Sequence, residues 1–556
     1  MFGTFSVIAN VPRAVKIDPK DIPPPTPVAL PPSLPPQQVP RSSSSLAPEK
    51  HLVTYLQSIY RPAEVSPALF EALGVKVIPD VPLAELLPNP SLAPDFNAWD
   101  NLSIDEAIER NNSTKSNLNT GTQSPGVQTY HDRKRELSIA NEDAFRVVRR
   151  LPPPKGKQQA RLGNAYEFYR CLEAFTTFWD DTSKPTPKTA PPADAPTAQE
   201  PTSDASQGDS SENDASGESV RTAAGSTMPF EYRQNIVHAF LKLIAYDFGC
   251  SAQPARVEPR LQLKGPLLPS KSGRAADAQS LAIRRSSYFA SGCTFVYRSP
   301  RTREAARQGL VDGPVAAVSA RGTTSFETDQ DRVIDFAREI VAALVTAQQR
   351  TRGGKKEVRP GEGEWWTTKP RWGGGSGGPI GREIDRDAVQ GDKDDKSAGR
   401  GSAEQSGAAS TTRPSGMPAP KRPRKQMSMY DNYRMVRPPS SSWDPKCRYE
   451  SIGKVKGAGY DDIFVLSSLF HHVSILRVRV PDRLLEVLEG AEDVAGSTAH
   501  SWGKLEVRRS PWYDLFLIEQ RIEAMQLVWG MMAWTMRQTE SEARGEGDSD
   551  VKMANV

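Results

Sequence analysis

This chain of 556 residues lacks the features that most quickly assign a protein to a class. It has four cysteines, Cys171, Cys250, Cys293 and Cys447, far apart and without a CxxC pair. Neither a disulfide framework nor a zinc module is expected from them, and reduced core thiols are. No uninterrupted apolar run reaches the roughly 18 residues that a membrane helix needs. The most apolar helical pattern, near the C-terminus, is broken by Asp514, Glu519, Arg521 and Glu523. The apolar start Met1–Asn10 is short and has no basic flank before it, so no secretory signal is expected. Asp18 and Asp21 interrupt what would otherwise read as a mitochondrial presequence.

Charge of one sign is lacking too. The 71 Lys and Arg nearly cancel the 67 Asp and Glu, leaving a net charge of +4. A dedicated nucleic-acid coat is far more basic, so any nucleic-acid contact would have to use local patches. Catalytic spelling is also missing: there is no GxSxG elbow, HExxH helix or P-loop. Gly373, Gly375 and Gly378 satisfy GxGxxG, but no strand pattern precedes them and no helix pattern follows. Histidine is scarce. His471-His472 opens a predicted strand, where adjacent rings are expected on opposite faces, so no metal site and no cofactor are expected there. His238 has no carboxylate or histidine four positions away. The acidic pairs Asp180-Asp181, Glu362 with Glu364, and Asp461-Asp462 lie in loops or at element ends, where solvated caps are the ordinary role.

What is present is a mosaic of folded and low-complexity stretches, eukaryotic in style. Apolar residues make up 37% of the chain and there are 48 prolines. Residues 1–50 are Pro/Ser-rich and are expected to be extended spacer, with a PxxP string at Pro32–Pro35. Residues 51–381 read as folded α+β blocks around an acidic insert at 182–227, which lacks any aromatic residue. A second insert is expected at 382–428. Residues 429–538 read as the C-terminal α+β part of the same core, and 539–556 as a polar tail. Because loop-closure entropy grows only logarithmically with length, such inserts cost little stability.

Within the blocks, periodicity predicts amphipathic helices over Arg161–Asp180, Phe230–Phe248 and Asp329–Arg350. Alternation predicts strands over Ser287–Arg298, Gly313–Arg321 and, as a pair, Asp462–Val480. Ser510-Pro511 reads as a helix start that runs to about Arg537, and Asn97–Thr129 as polar loop. The expected fold is α+β: one composite core of mixed helices and short strands.

The functional signals are short strings. Lys421-Arg422-Pro423-Arg424-Lys425 packs four cations into five positions of low-complexity chain, the spelling a nuclear import receptor grips. Arg350, Arg352, Lys355 and Lys356 follow the end of a predicted helix, and Trp365, Trp366 and Trp372 stand beside Lys369 and Arg371. Together these offer a nucleic-acid or partner surface through stacking and phosphate contact, or simply aromatic anchors for an irregular loop. Ser287, after Arg284-Arg285, and Ser124, before Pro125, spell phosphorylation sites. The reading that follows is a non-enzymatic regulatory or scaffold protein in the nucleus, with the cytoplasm as alternative, acting through protein contacts. The other readings are a nucleic-acid-associated protein and an enzyme with an unrecognised α+β core.

Overall fold

The computed structural model describes residues 21–31, 51–184, 221–255, 257–265, 286–324, 326–356, 443–493 and 500–539. They form an α+β fold around a mixed sheet of nine strands. The strands that carry it are β1 (Val75–Ile78), β2 (Cys250–Gln253), β5 (Thr294–Arg298), β6 (Val311–Ala320), β7 (Cys447–Tyr449), β8 (Tyr460–Leu469), β9 (His472–Pro481), β10 (Leu505–Arg509) and β11 (Tyr513–Asp514). The spine runs β1-β10-β9-β8-β6-β5-β2, with β7 added on β6 and β11 on β9. A separate hairpin joins β3 (Arg260–Lys264) to β4 (Ser286–Ala290).

The centre of the sheet is apolar on both faces, as strands covered by helices on both sides must be. Along β8, Ile463 and Val465 enter one core while Phe464 and Leu466 enter the other. The period of two along a strand makes that division. One face packs against helices Tyr166–Phe175, Phe230–Ala245 and Ile518–Met536. The other packs against helices Asp329–Arg350, Asp482–Leu488 and Leu52–Leu56. Tyr166–Phe175 and Phe230–Ala245, which flank the acidic insert in sequence, pack together, with the Phe168 and Phe240 ring centroids 5.7 Å apart.

The Asp329–Arg350 helix has the bounds its periodicity predicts. Its capping box closes as Thr328 accepts from the Asp331 N–H at 3.1 Å and Asp331 reaches back to the Thr328 N–H. The Phe230–Ala245 helix stops slightly before the predicted end, and Gly249 takes φ +72° where the chain turns into β2.

Other expectations are corrected. The predicted loop 97–129 contains helices Phe96–Asp100 and Ile104–Arg110, the latter held by a Ser103–Glu106 capping box whose polar sequence hides a helix start. Ser510-Pro511 begins no helix. Ser510 instead hydrogen-bonds across to Ile475, β11 intervenes, and the helix starts at Ile518. Residues 21–31 are extended but not a free spacer, because Thr26 Oγ1 accepts from the Gly225 N–H at 2.7 Å. The four cysteines are free and buried. Among the described residues, no helix is long and apolar enough to cross a membrane.

Candidate functional site

The hairpin between β8 and β9 turns through Phe470 and His471, with Phe470 at φ +53°. His471 therefore lies in the turn and only His472 is on the strand. The alternation that would send adjacent rings to opposite faces does not apply, and the two imidazoles sit 4.3 Å apart, tilted by 39°. The expectation of opposite faces is thus overturned by a tight turn. Directly across from His472 in the β9–β11 ladder stands Asp514. Asp514 Oδ2 lies 3.5 Å from His471 Nε2 and 3.8 Å from His472 Nε2.

These distances exceed a hydrogen bond. Among the described residues, neither nitrogen of His471 and not Nδ1 of His472 has a hydrogen-bond partner, although His471 is only 1% exposed. Buried polar atoms are ordinarily paired, so unpartnered ring nitrogens at this depth are unusual. Asp514, by contrast, is firmly oriented. Thr182 Oγ1 donates to its Oδ2 at 2.6 Å and the Phe516 N–H donates to its Oδ1 at 2.9 Å.

Below this cluster Asn141 ties the layers together. Its amide donates to the Phe516 carbonyl and to Asp181 at 3.0 Å, and its oxygen accepts from Arg521 at 2.9 Å. Phe516 and Trp179 wall the His471 ring at centroid distances of 4.8 and 6.3 Å. Burial, with the second imidazole adding to it and Asp514 opposing, lowers the His472 pKa to about 4. Burial alone would raise the Asp514 carboxyl, but the two histidines and Thr182 bring it down to about 2. At neutral pH His472 is therefore a neutral imidazole beside a carboxylate. His471, His472 and Asp514 are the group of described residues able to hold a metal ion, one ligand atom from each lying within 4.8 Å of the others.

The string-based sites fare differently. Lys421, Arg422, Arg424, Lys425, Trp365, Trp366 and Trp372 lie outside the described residues, as do Glu362, Glu364 and the PxxP string. Arg350 is not a surface cation. It is 2% exposed, and its guanidinium grips Asp461 at 2.8 Å while donating to the Pro314 and Ile452 carbonyls. Arg352 is also buried, its guanidinium 5.1 Å from the Trp443 ring and 5.4 Å from that of Tyr449. Lys355 and Lys356 are exposed. The predicted basic patch thus loses two of its cations to the core, because a helix C-terminus that packs on a sheet turns its last side chains inward.

Ser124 is buried and accepts from the Ser116 N–H at 2.9 Å, so its place is an ordered turn and not the open chain its sequence implied. Ser287 lies on β4 opposite Leu263, with its hydroxyl buried. His238 is half-buried and bonded to Thr294 at 2.9 Å. Asp461 and Asp462 are no solvated cap. They point to separate arginines, Arg350 and Arg479.

A second buried polar cluster, unseen in the sequence, fills the space between the Asp329–Arg350 helix and the sheet. Arg321 donates to Asp335 at 2.7 Å and to Glu339, Glu339 also accepts from Ser467, and Arg509 reaches Glu339 at 3.2 Å. Burial alone would raise the Glu339 carboxyl, but Arg321 and Arg509 outweigh it and hold it well below the usual range. Arg509 lays its guanidinium over Trp512 at 4.5 Å. Elsewhere, a cleft of about 640 Å³ opens over the glycine- and lysine-bearing loop 450–459, where Lys454 pairs with Asp482 at 2.6 Å. Compared with known proteins, the chain matches no family model, no curated protein and no solved structure.

Proposed function

We propose that this is a non-enzymatic regulatory or scaffold protein, acting in the nucleus through protein–protein contacts, whose core serves as a platform for the segment 357–442. The observation that carries this reading is the closed base of that segment. Arg352, just before it, stacks its guanidinium on Trp443, just after it, and on Tyr449. A cation against an aromatic face contributes on the order of 0.5–2 kcal/mol, more when desolvated. Immediately beside this contact, Arg350 donates to the Ile452 carbonyl at 2.6 Å and Ser451 donates to the Arg350 carbonyl at 2.9 Å. The two described flanks of that segment are thereby held by side chains of the core.

A segment entering and leaving at one clamped point leaves the core fold intact whatever binds it. Lys421, Arg422, Arg424 and Lys425 then serve a nuclear import receptor that reads them on the folded protein. The test is a fluorescent fusion of the full chain with those four residues changed to alanine. The expected outcome is loss of nuclear accumulation, and an unchanged distribution overturns the import role. The nucleic-acid alternative is weakened by the burial of Arg350 and Arg352, which removes them from any phosphate contact.

A further inference from the structure

We propose that His471, His472 and Asp514 form a binding site for a divalent first-row transition ion, zinc foremost, with water completing the coordination. The site is independent of the scaffold reading and stands or falls without it. Three observations combine. The donor set is two imidazoles and one carboxylate, which suits zinc and its neighbours, whereas calcium and magnesium take oxygen ligands. Of the nitrogens that would bind, Nε2 of His471 is unpartnered in a buried position, and an ion supplies the missing interaction. The spacing is near what coordination requires. Bonds of about 2.0–2.1 Å in a tetrahedron place neighbouring ligand atoms roughly 3.4 Å apart. The two edges through Asp514 already measure 3.5 and 3.8 Å, and the three ligand atoms lie within 4.8 Å of one another. Small ring rotations close the remainder.

The surroundings fit a ligand set held ready. Asp514 is oriented by the Thr182 hydroxyl and the Phe516 N–H, the kind of outer hydrogen bonding that fixes a metal carboxylate. His471 is fixed by the hairpin turn and His472 by the β9–β11 ladder, so all three ligands stand on rigid backbone. His472, near a tenth exposed, lies toward solvent and leaves a route for the ion and for the water ligand. An ion here would join the β8–β9 hairpin, the β11 segment and, through Thr182, the chain leading into residues 185–220.

The test uses the intact full-length protein, stripped with a chelator and titrated at neutral pH with zinc alone and, separately, with cobalt alone. Bound metal is counted by elemental analysis, and the cobalt adduct is read by visible absorption. The expected result is one ion per chain, visible bands of nitrogen and oxygen ligation, and a rise in Tm of several degrees. His472→Gln should weaken binding by more than about 100-fold, beyond what outer-shell changes do, and Thr182→Val by about 10-fold. Circular dichroism reports whether each variant is folded. If His472→Gln fails to fold, the wild-type cobalt spectrum decides by itself. Thiolate charge-transfer bands there would assign the ion to cysteine and overturn the proposal. Folded wild-type protein that takes up neither ion at micromolar concentration, or a folded His472→Gln that binds as tightly as the wild type, would also overturn it.

Discussion

Two buried polar clusters lie a few residues apart on the β8–β9 hairpin, and they are built in opposite ways. Around Glu339 and Asp335 each buried carboxylate faces a buried arginine, Arg321 or Arg509, and Ser467 adds a hydroxyl. Around Asp514, one carboxylate faces two imidazoles with nitrogens left over. In the first cluster each carboxylate is paired with an arginine, although Nε and one Nη of Arg509 have no hydrogen-bond partner among the described residues. The cluster contributes architecture: it locks the Asp329–Arg350 helix to the strands beneath it. The second has spare lone pairs that nothing among the described residues uses. A matched network resists change, whereas an unmatched one has capacity for a ligand.

Breaking the matched cluster should give the largest effect. Glu339→Gln leaves Arg321 and Arg509 buried without their shared carboxylate, and should cost about 3–5 kcal/mol in urea unfolding. The sign of its pH dependence follows from a carboxyl held below its usual range. Its contribution is present above the ordinary carboxylate range and lost as pH falls through and below it, so the variant should lose part of the acid sensitivity of the wild type.

Arg350→Met comes next, at about 3 kcal/mol, because it strands Asp461 in the core. Equal stability of this variant and the wild type would return Arg350 to the list of free surface cations. A smaller effect is expected at the unmatched cluster. His472 titrates at about 4 in the folded chain, lowered by burial, against about 6.5 for an unperturbed histidine. Between these values the unfolded chain binds the extra proton, so stability is full above roughly pH 6.5 and declines toward pH 4. His472→Gln should flatten that slope by on the order of 1–3 kcal/mol across the window. His238, half-buried and likewise lowered to about 4 by desolvation, keeps its own share of the slope. An unchanged slope in chemical denaturation at a series of pH values would deny His472 this role. Thr182→Val should be the mildest, about 1 kcal/mol for one hydrogen bond to Asp514. A double-mutant cycle with Asp514→Asn should then show that the two losses are not additive.

How much of this was legible in the sequence depended on range. The Asp329–Arg350 helix announces itself through its apolar period, and the β8–β9 pair through its branched, apolar run. The C-terminal helix was readable in its body but misplaced at its start, because Ser510-Pro511 is good cap chemistry that pairing with Ile475 overrides. The 97–129 segment read as loop since its helices are short and polar outward, with only Ala107 buried on the Ile104–Arg110 helix. At the candidate site the sequence showed both histidines and Asp514, yet assigned the first two to opposite faces and the third to the C-terminal helix. The signal that could have corrected this was the length of the apolar run: a turn placed at Phe470-His471 divides it into two equal strands.

Taken by itself, the sequence determined the α+β class, the main helices, the central hairpin and the fate of the cysteines as buried thiols. Periodicity, caps and composition are local, and each acts within a few residues of chain. Only the tertiary structure decided which charges are buried and which side chains meet. Thr182, His471, His472 and Asp514 come from distant segments, and Arg350 finds Asp461 across the sheet. Such meetings depend on strand order, register and the position of one turn, and a one-residue change of register would send the same side chains to the other face.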